Sequence, residues 1–224
     1  MIEILHSQLA FNPADGLQTT WEFLLKGGKF MIPLALTSVA GMMAILYKFL
    51  SLAGSRVAPK ALARDVAQFQ ERIQTDRTDA ILREFEKGES TLARLSAVVV
   101  KHRGRPRSEI THAVESAARE ETLHLHAGIS VLDTVITIAP LLGLLGTASG
   151  LVRIFQGLGD NSDHLAIARG IAEALTTTIV GLAIAVPCVI AHGYFVRRIE
   201  MLTARLEALL GDLAIVCEKP NSNV

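Results

Sequence analysis

Three stretches of this chain carry no charged residue over a length that can cross a membrane. They run from Phe30 to Tyr47, from Thr134 to Val152 and from Ala174 to Val196. A spanning helix needs about 20 apolar residues, or somewhat fewer where long flanking side chains reach back to the interface. Half of the 224 residues are hydrophobic, more than is usual in a soluble domain. The sequence therefore predicts an all-α, polytopic membrane protein with three transmembrane helices.

The distribution of Lys and Arg predicts how these helices are oriented. Residues 51–127 contain thirteen Lys and Arg residues, and the tail after the third stretch opens with Arg197 and Arg198. The segment from Gln156 to Leu165 contains neither Lys nor Arg. Because positively charged loops stay in the cytoplasm, the N-terminus and this short segment are expected outside, and the large loop and the tail inside. Residues 1–7 carry no Lys or Arg, so no cleavable signal peptide is expected.

These boundaries divide the chain into seven segments. An outer N-terminal segment covers residues 1–29 and includes a short interfacial helix over Leu17–Leu25, with Trp21 at the level of the headgroups. The three transmembrane helices are predicted at 30–50, 128–156 and 167–196. A cytoplasmic helical segment covers 51–127, a short outer turn covers 157–166, and a cytoplasmic helical tail covers 197–224.

The cytoplasmic segment has a helical pattern interrupted by turn residues. Apolar side chains recur every three to four residues from Leu62 to Ile73, after a predicted helix start at Pro59. Breaks are predicted at Gly88 and again near Gly104.

Helices two and three are predicted to extend beyond the membrane into a cytoplasmic helical bundle. Ser108 is predicted to cap a helix that continues without interruption into the second span as far as Pro140. The third helix is predicted to end near Gly211. At the end of the first span, Lys48 is expected to reach back toward the membrane interface.

Spans two and three contain polar side chains that are costly in hydrocarbon. The two spans form a predicted hairpin centred near Ser162, with Thr147 fifteen residues before this point and Thr178 sixteen residues after it. At a rise of about 1.5 Å per residue, the two hydroxyl groups are expected at nearly the same depth. Glu173 lies about 7 to 8 Å outward of Thr178, near the outer mouth. An ion pathway is the first hypothesis, lined by Thr147, Thr178, Glu173, Thr176 and Thr177.

Each of these residues also has a purely structural interpretation. A threonine in a spanning helix commonly donates its hydroxyl proton to a carbonyl of its own helix. Glu173 can pair with Arg169 one turn earlier, or reach the headgroups. Asp133 is either a candidate for the inner mouth of the pathway or a solvated charge at a helix end.

A second set of residues on these spans predicts close helix packing. Small residues allow helix backbones to approach each other and favour oligomers, and a proline inside a span requires neighbouring helices to repair the lost hydrogen bond. The predicted packing residues are Gly143, Gly146, Gly150, Gly181, Pro140 and Pro187.

Other classes of function have little support in the sequence. The formal net charge is zero, which argues against a nucleic-acid partner. The seven histidines and two cysteines show no metal-ligand or disulfide spacing, and no cofactor motif or nucleophile–base arrangement is found. We therefore expect neither an enzyme nor a bound metal or cofactor.

The two polar-containing spans resemble the signature of the MotA/TolQ/ExbB proton channel family. The similar segments are Ala139-Pro-Leu-Leu-Gly-Leu-Leu-Gly-Thr147 and Gly170-Ile-Ala-Glu-Ala-Leu175, the latter continuing through Thr178 and Pro187. The segment from Trp21 to Gly28 is also similar to the ExbB and TolQ branch of that family.

The resemblance implies a homopentamer of three-span subunits in the bacterial inner membrane, with membrane lipids around it. Its second and third helices would line a pore that holds a single-span partner of the ExbD or TolR type. The partner brings a titratable aspartate, and the complex uses the proton motive force to energise TonB-dependent or Tol-type processes. The family's pore threonines correspond to Thr147 and Thr178, and its third-span glutamate corresponds to Glu173.

Some positions depart from the family pattern and leave alternatives open. Ala148 and Ser149 stand where the branch often has a bulkier pair, and Arg169 stands where some members have proline. A guanidinium near Glu173 favours its ionised form, so this glutamate either cycles a proton or only organises the mouth. The sequence does not choose between TonB-type and Tol-type partners, and a helical scaffold that conducts nothing is the alternative from another class.

Overall fold

The computed structural model describes residues 28–52, 54–69, 71, 79–157 and 164–218. Within these ranges every regular element is helical, which confirms the all-α prediction. The predicted interfacial helix at Leu17–Leu25 and the centre of the predicted outer turn lie outside the described residues. A short 3₁₀ turn, Gly28–Phe30, precedes helices α1 Met31–Ser51, α2 Gly54–Val57, α3 Lys60–Ala67, α4 Asp79–Lys87, α5 Thr91–Lys101, α6 Arg107–His126, α7 Ile129–Gln156 and α8 His164–Cys217.

Three helical stretches are long and apolar enough to cross a membrane. They are α1, the stretch formed by α6 and α7, and α8 from Ile167 onward. On α1 the side chains of Ile32, Leu36 and Met43 are between 64% and 68% exposed. Exposed apolar side chains of this size need lipid or another protein against them. The prediction of three spanning helices is confirmed.

The chain divides into two compact units, and the first consists of residues 1–43 and 131–190. In this first unit α1 packs closely on α7 and α8 at Gly41. A Cβ atom added there would lie 2.9 Å from Sγ of Cys188 and 3.3 Å from a methyl carbon of Val135. The absence of a side chain at Gly41 therefore lets the three apolar helices meet.

The second unit consists of residues 44–130 and 191–224, and α5 is its central element. Helix α5 packs against α4 and α6, and also against α2 and α3. Leu92, Leu95 and Val99 of α5 are buried. Ser90 caps this helix by accepting a hydrogen bond from the backbone amide of Ala93 at 3.2 Å.

The turns within the second unit follow the sequence signals at its glycines. Helix α3 starts directly after Pro59, as predicted. The breaks predicted at Gly88 and Gly104 are confirmed, because both residues adopt left-handed backbone angles, with φ of 62° and 80°.

The predicted unbroken helix from Ser108 to Pro140 is wrong. Helix α6 starts at Arg107, with Pro106 rather than Ser108 in the capping position, and it ends at His126. Gly128 then takes a φ of 84° before α7 begins at Ile129. Residues of a right-handed helix have negative φ, so the helix cannot continue through Gly128. The chain therefore turns between the two helices.

Lys48 is buried at this turn, which corrects the prediction that it reaches the membrane interface. Its side chain has no exposed surface. Its Nζ donates a hydrogen bond to the carbonyl oxygen of Leu125 at 2.6 Å. The last carbonyls of a helix have no partner within that helix, so the ammonium group of Lys48 satisfies one of them at the end of α6.

Helix α8 continues six residues past Gly211, its predicted end, to Cys217. Leu210, Leu213 and Cys217 are all buried, and the Cys217 carbonyl accepts a hydrogen bond from the amide of Gly104 at 2.9 Å. Burial of this apolar stripe outweighs the weak helix propensity of one glycine, which costs about 1 kcal/mol relative to alanine.

Candidate functional site

Helices α7 and α8 approach closely in the first unit, along the glycines of their facing sides. A Cβ atom at Gly143 would lie 2.8 Å from the carbonyl oxygen of Thr177, and one at Gly181 would lie 2.5 Å from that of Ala139. Cβ atoms at Gly146 and Gly150 would lie 2.5 Å and 2.8 Å from side-chain atoms of Thr177 and Ala174. Real Cβ atoms do not come this close to other atoms, so each position requires glycine at the observed helix separation.

Thr147 of α7 and Thr178 of α8 face each other across this contact. Their hydroxyl oxygens lie 3.1 Å apart. The hydroxyl oxygen of Thr147 also lies 2.8 Å from the carbonyl oxygen of Leu144, and the hydroxyl oxygen of Thr178 lies 3.1 Å from that of Gly143. The structure therefore brings together the two hydroxyl groups that residue counting predicts at one depth.

Around this pair, more hydrogen-bond acceptors than donors lie within range. A threonine hydroxyl has one proton to donate and two lone pairs to accept with. The Thr178 proton has two acceptors in range, the Gly143 carbonyl and the Thr147 oxygen, each at 3.1 Å. Rotation about a single C–O bond switches this donor between them. Both side chains are partly exposed, so the pair borders the surface of the protomer.

Thr177, which is also predicted to line the pathway, has a different environment from the threonine pair. Its side chain is 2% exposed. Its hydroxyl lies 2.8 Å from the carbonyl oxygen of Ala174 and 3.0 Å from that of Gly143. Thr177 is therefore enclosed between α7 and α8 and contributes to their packing.

Like Thr147, Thr176 has a hydroxyl that bonds back to a carbonyl of its own helix. The oxygen lies 2.8 Å from the carbonyl of Ala172, one turn earlier. Asp133 is exposed on the first turns of α7. It precedes Thr147 by fourteen residues, or about 21 Å of helix, so the structure does not bring it together with the threonine pair.

Glu173 borders a cavity of about 180 Å³ between α7 and α8 in the first unit. Arg153 lines the same cavity from the last turn of α7, together with Thr177 and the glycines at 146, 150 and 170. Sequence reasoning missed Arg153. The available signal was its place at the end of α7, on the opposite side of the hairpin turn from Glu173.

The prolines of both spans lie within continuous helix. Pro140 is inside α7 and Pro187 is inside α8. Neither ends its helix, as is tolerated where neighbouring helices surround the segment.

Comparison with known proteins gives the family of this arrangement. Residues 65–208 match the model of the MotA/TolQ/ExbB proton channel family. The chain belongs to this family. The match includes α7 and α8 as far as residue 208, and with them Thr147, Glu173 and Thr178. As a member with three helices long enough to span, the chain is a multi-pass membrane protein.

Individual relatives come from several branches of the family. A putative biopolymer transport protein ExbB homolog of Methanothermobacter thermautotrophicus is 29% identical over 85% of this chain and 68% of its own length. The Tol-Pal system protein TolQ of Pseudomonas aeruginosa is 39% identical over 43% of this chain and 42% of its own length. The biopolymer transport protein ExbB of Salmonella typhimurium is 38% identical over 41% of this chain and 36% of its own length. The chain thus matches about two fifths of the length of these last two relatives.

Proposed function

We propose that this chain is the ring-forming subunit of a proton-driven motor, assembled as a homopentamer around a single-span partner of the ExbD type. The complex uses the proton motive force to energise TonB-dependent transport across the outer membrane. The observation that carries this proposal is the hydroxyl pair of Thr147 and Thr178, 3.1 Å apart and partly exposed. This arrangement occurs within a chain of the MotA/TolQ/ExbB proton channel family.

A pore requires several copies of the chain, because three helices leave no room for a lumen between them. In one protomer α7 and α8 touch along their glycines, so the path for protons lies on an outer face of this helix pair. Large apolar side chains such as Leu144 and Ile179 are 62% and 58% exposed on these helices. Neighbouring copies arranged around a symmetry axis cover such surfaces and enclose the lumen.

The hydroxyl pair supplies the chemistry of a proton path without a titrating side chain of its own. A hydroxyl both accepts and donates, so a proton that arrives on one lone pair is matched by release of another after rotation of the C–O bond. The titrating group is the partner's carboxylate. Protonation removes its charge and changes which position in the ring it prefers. One elementary charge crossing about 100 mV releases about 2.3 kcal/mol, which is the free energy that each proton makes available for the mechanical step.

Glu173 and Arg153 contribute at the outer mouth of this pathway. Both line the same cavity, so a carboxylate and a guanidinium border one recess at this end of the helix pair. In the proposal Glu173 organises this mouth.

A second candidate is a Tol-Pal system, in which the same ring would pair with a TolR-like partner and act on a TolA-like protein. The matched segment of the Pseudomonas TolQ relative is 39% identical, close to the 38% of the Salmonella ExbB relative. A ring that only holds its partners and conducts nothing is the third alternative.

The test uses cells that co-express the chain with its single-span partner and lack other complexes of this family. The double variant Thr147→Val, Thr178→Val keeps the shape of both side chains and removes both hydroxyls. We expect it to assemble into rings of five copies by native mass spectrometry and to lose proton-driven uptake. The matched control is Thr37→Val, because the hydroxyl of Thr37 bonds to the Leu34 carbonyl of its own helix α1 at 2.8 Å.

The outcomes separate the alternatives. Full uptake by the double variant would support the non-conducting scaffold and contradict the proposal. Loss of outer-membrane integrity without loss of uptake would indicate the Tol-type system. A monomer or dimer in mild detergent would contradict the ring.

A further inference from the structure

A groove in the second unit gathers three cationic side chains around an apolar floor. Lys60, Arg198 and Arg205 supply the charges, and Met201 and Leu202 supply the floor. Ala58, Pro59 and Ala61 complete the lining, and the cavity measures about 510 Å³. We call this site the basic groove.

The walls of the basic groove come from two helices. Residues 198, 201, 202 and 205 follow the spacing of a single helix face, so α8 presents them as one stripe. The opposite wall is the start of α3, where Pro59 occupies the capping position and makes no side-chain hydrogen bond. The uncapped N-terminus of α3 adds the partial positive charge of its free backbone amides.

The charges in the basic groove are uncompensated in this part of the molecule. No Asp or Glu belongs to its lining. Among the residues that the structure describes, Lys60, Arg198 and Arg205 take part in no ion pair. Arg94, by contrast, is paired with Glu121 at 2.6 Å. Three cations without a counter-ion around one cavity favour a ligand that carries negative charge.

The position of the groove along the chain limits what that ligand is. The charge-free stretch of the third span ends at Val196, so Arg198 follows it by two residues and Arg205 by nine. At about 1.5 Å per residue these positions are about 3 and 14 Å beyond the hydrocarbon. Side chains in a helix tilt toward its N-terminus, and the N-terminal part of α8 is the spanning part. Both guanidinium groups therefore extend back toward the phosphates of the lipid headgroups.

We propose that the basic groove binds the headgroup of an anionic phospholipid from the adjacent leaflet. The guanidinium groups of Arg198 and Arg205 and the ammonium of Lys60 bind the phosphate. The apolar floor receives the glycerol backbone and the first acyl carbons: Met201 is 53% exposed and available for contact, and Leu202 below it is buried. A free phosphate ion would use the cations and leave this floor in water, so the floor favours a lipid.

This inference goes beyond the proposed function and depends only on the chain crossing a membrane. It concerns residues distant in sequence from Thr147, and its test does not measure proton flux. Failure of the motor proposal therefore leaves the lipid site standing, and the reverse also holds.

The experiment measures phospholipid retention on the full chain, purified in mild detergent and studied by native mass spectrometry. Phosphatidylglycerol and phosphatidylcholine are titrated separately. We expect one phosphatidylglycerol per protomer to be retained at concentrations where phosphatidylcholine is not. The triple variant Lys60→Gln, Arg198→Gln, Arg205→Gln is expected to bind phosphatidylglycerol about 100-fold more weakly, since each basic residue near a membrane surface contributes about a fivefold effect.

The matched control removes the same charge from exposed positions outside the groove. It is the triple variant Lys87→Gln, Lys101→Gln, Arg107→Gln, whose side chains are all exposed. We expect it to bind phosphatidylglycerol like the unaltered chain. Should the groove triple variant fold poorly by circular dichroism, the double variant Lys60→Gln, Arg205→Gln changes only exposed side chains and is expected to lose about 30-fold.

Three results would overturn the proposal. One is equal retention of the two lipids by the unaltered chain. Another is equal loss of phosphatidylglycerol binding in the groove and control variants. The third is complete displacement of bound phosphatidylglycerol by millimolar inorganic phosphate, which would assign the groove to a free anion.

Discussion

At the scale of single residues, Lys48 has a structural role that its position at the end of a span conceals. Its Nζ donates to the carbonyl of Leu125 at 2.6 Å, and the side chain is fully buried. Gly128 fits against the same side chain, because a Cβ there would lie 3.7 Å from Cε of Lys48. The ammonium group therefore stabilises the turn between α6 and α7.

Replacing Lys48 by Met tests this role. The methionine side chain has a similar length but cannot donate a hydrogen bond, so the Leu125 carbonyl would be left without its partner. We expect a loss of about 1 to 3 kcal/mol in the free energy of unfolding, measured by thermal unfolding in detergent. Lys87→Met, at an exposed position of α4, is the control and should change stability by less than about 0.5 kcal/mol. Equal melting temperatures for the two variants would contradict the assigned role.

The ion pair between Arg94 and Glu121 makes the stability of the second unit depend on pH. Nε and Nη2 of Arg94 donate to the two carboxylate oxygens of Glu121, each at 2.6 Å. The hydrogen bond from Arg94 lowers the pKa of Glu121, against the opposing effect of burial. A carboxylate whose pKa is lowered by folding stabilises the fold above its unfolded pKa, and that contribution is lost as the pH falls through the folded pKa.

The variant Glu121→Gln is therefore expected to be less stable than the unaltered chain at pH 7 but not at pH 3. The difference at pH 7 should be no more than about 1 kcal/mol, because Arg94 is 46% exposed and solvent screens the pair. Melting temperatures of the two proteins at both pH values measure it. Glu120→Gln, at the exposed neighbouring position, should show no such pH-dependent difference. If the melting temperatures of Glu121→Gln and the unaltered chain differ by the same amount at pH 3 and at pH 7, the ion pair is not the cause of the pH dependence.

At the scale of helices, the contact between α7 and α8 depends on the absence of side chains at particular points. A Cβ atom added at Gly181 would lie 2.5 Å from the carbonyl oxygen of Ala139. Gly193, further along α8, has no atom within 4 Å of that position. Packing therefore requires glycine at position 181 but not at position 193.

Alanine substitutions at these positions should have opposite effects on stability. Gly181→Ala inserts a methyl group against a backbone atom, which cannot rotate away, and should cost about 1 to 3 kcal/mol. Gly193→Ala meets open space and should gain up to about 1 kcal/mol from better helix propensity. Thermal unfolding of both variants in the same detergent compares them. A Gly181→Ala variant as stable as Gly193→Ala would mean that α7 and α8 are not in the contact described.

Helix-level prediction from the sequence succeeds where the signal is local. Long charge-free stretches are enough to locate three spanning helices, and glycines at 88 and 104 are enough to locate two turns. The break at Gly128 is missed because one glycine is compatible with a helix, and the contacts of this turn with Tyr47 and Lys48 come from a distant part of the sequence. The extension of α8 to Cys217 is missed for the same reason, since burial of Leu213 against other elements is not a local property.

Prediction of the candidate site from the sequence also succeeds for local features and fails for those that depend on packing. Counting residues from the hairpin turn places Thr147 and Thr178 at one depth, and the structure brings their hydroxyls within 3.1 Å. Depth does not give the rotation of a helix about its axis, so it does not distinguish Thr178 from Thr177, whose side chain points into the packing contact. Arg153 is missed because it follows the charge-free stretch and resembles an ordinary flanking charge.

At the scale of the whole molecule, the proposed pathway needs more than one protomer, because within the described residues the threonine pair lies on the outer side of the α7–α8 contact. The hydroxyl pair lies at the surface of the α7–α8 contact. The large apolar side chains of α1, α7 and α8 remain exposed. Both features follow if copies of the chain assemble in the membrane, because neighbouring protomers then cover the apolar faces and surround the threonine pairs.

Proton flux through the purified complex, reconstituted with its single-span partner in liposomes, tests the central claim most directly. A potential across the liposome membrane drives protons, and a trapped pH-sensitive dye records their entry. We expect Thr147→Val, Thr178→Val to reduce partner-dependent flux at least about tenfold, the change that about 1.4 kcal/mol of added barrier produces. Thr37→Val should leave the flux unchanged. Flux through the double variant equal to that of the unaltered complex would contradict the account.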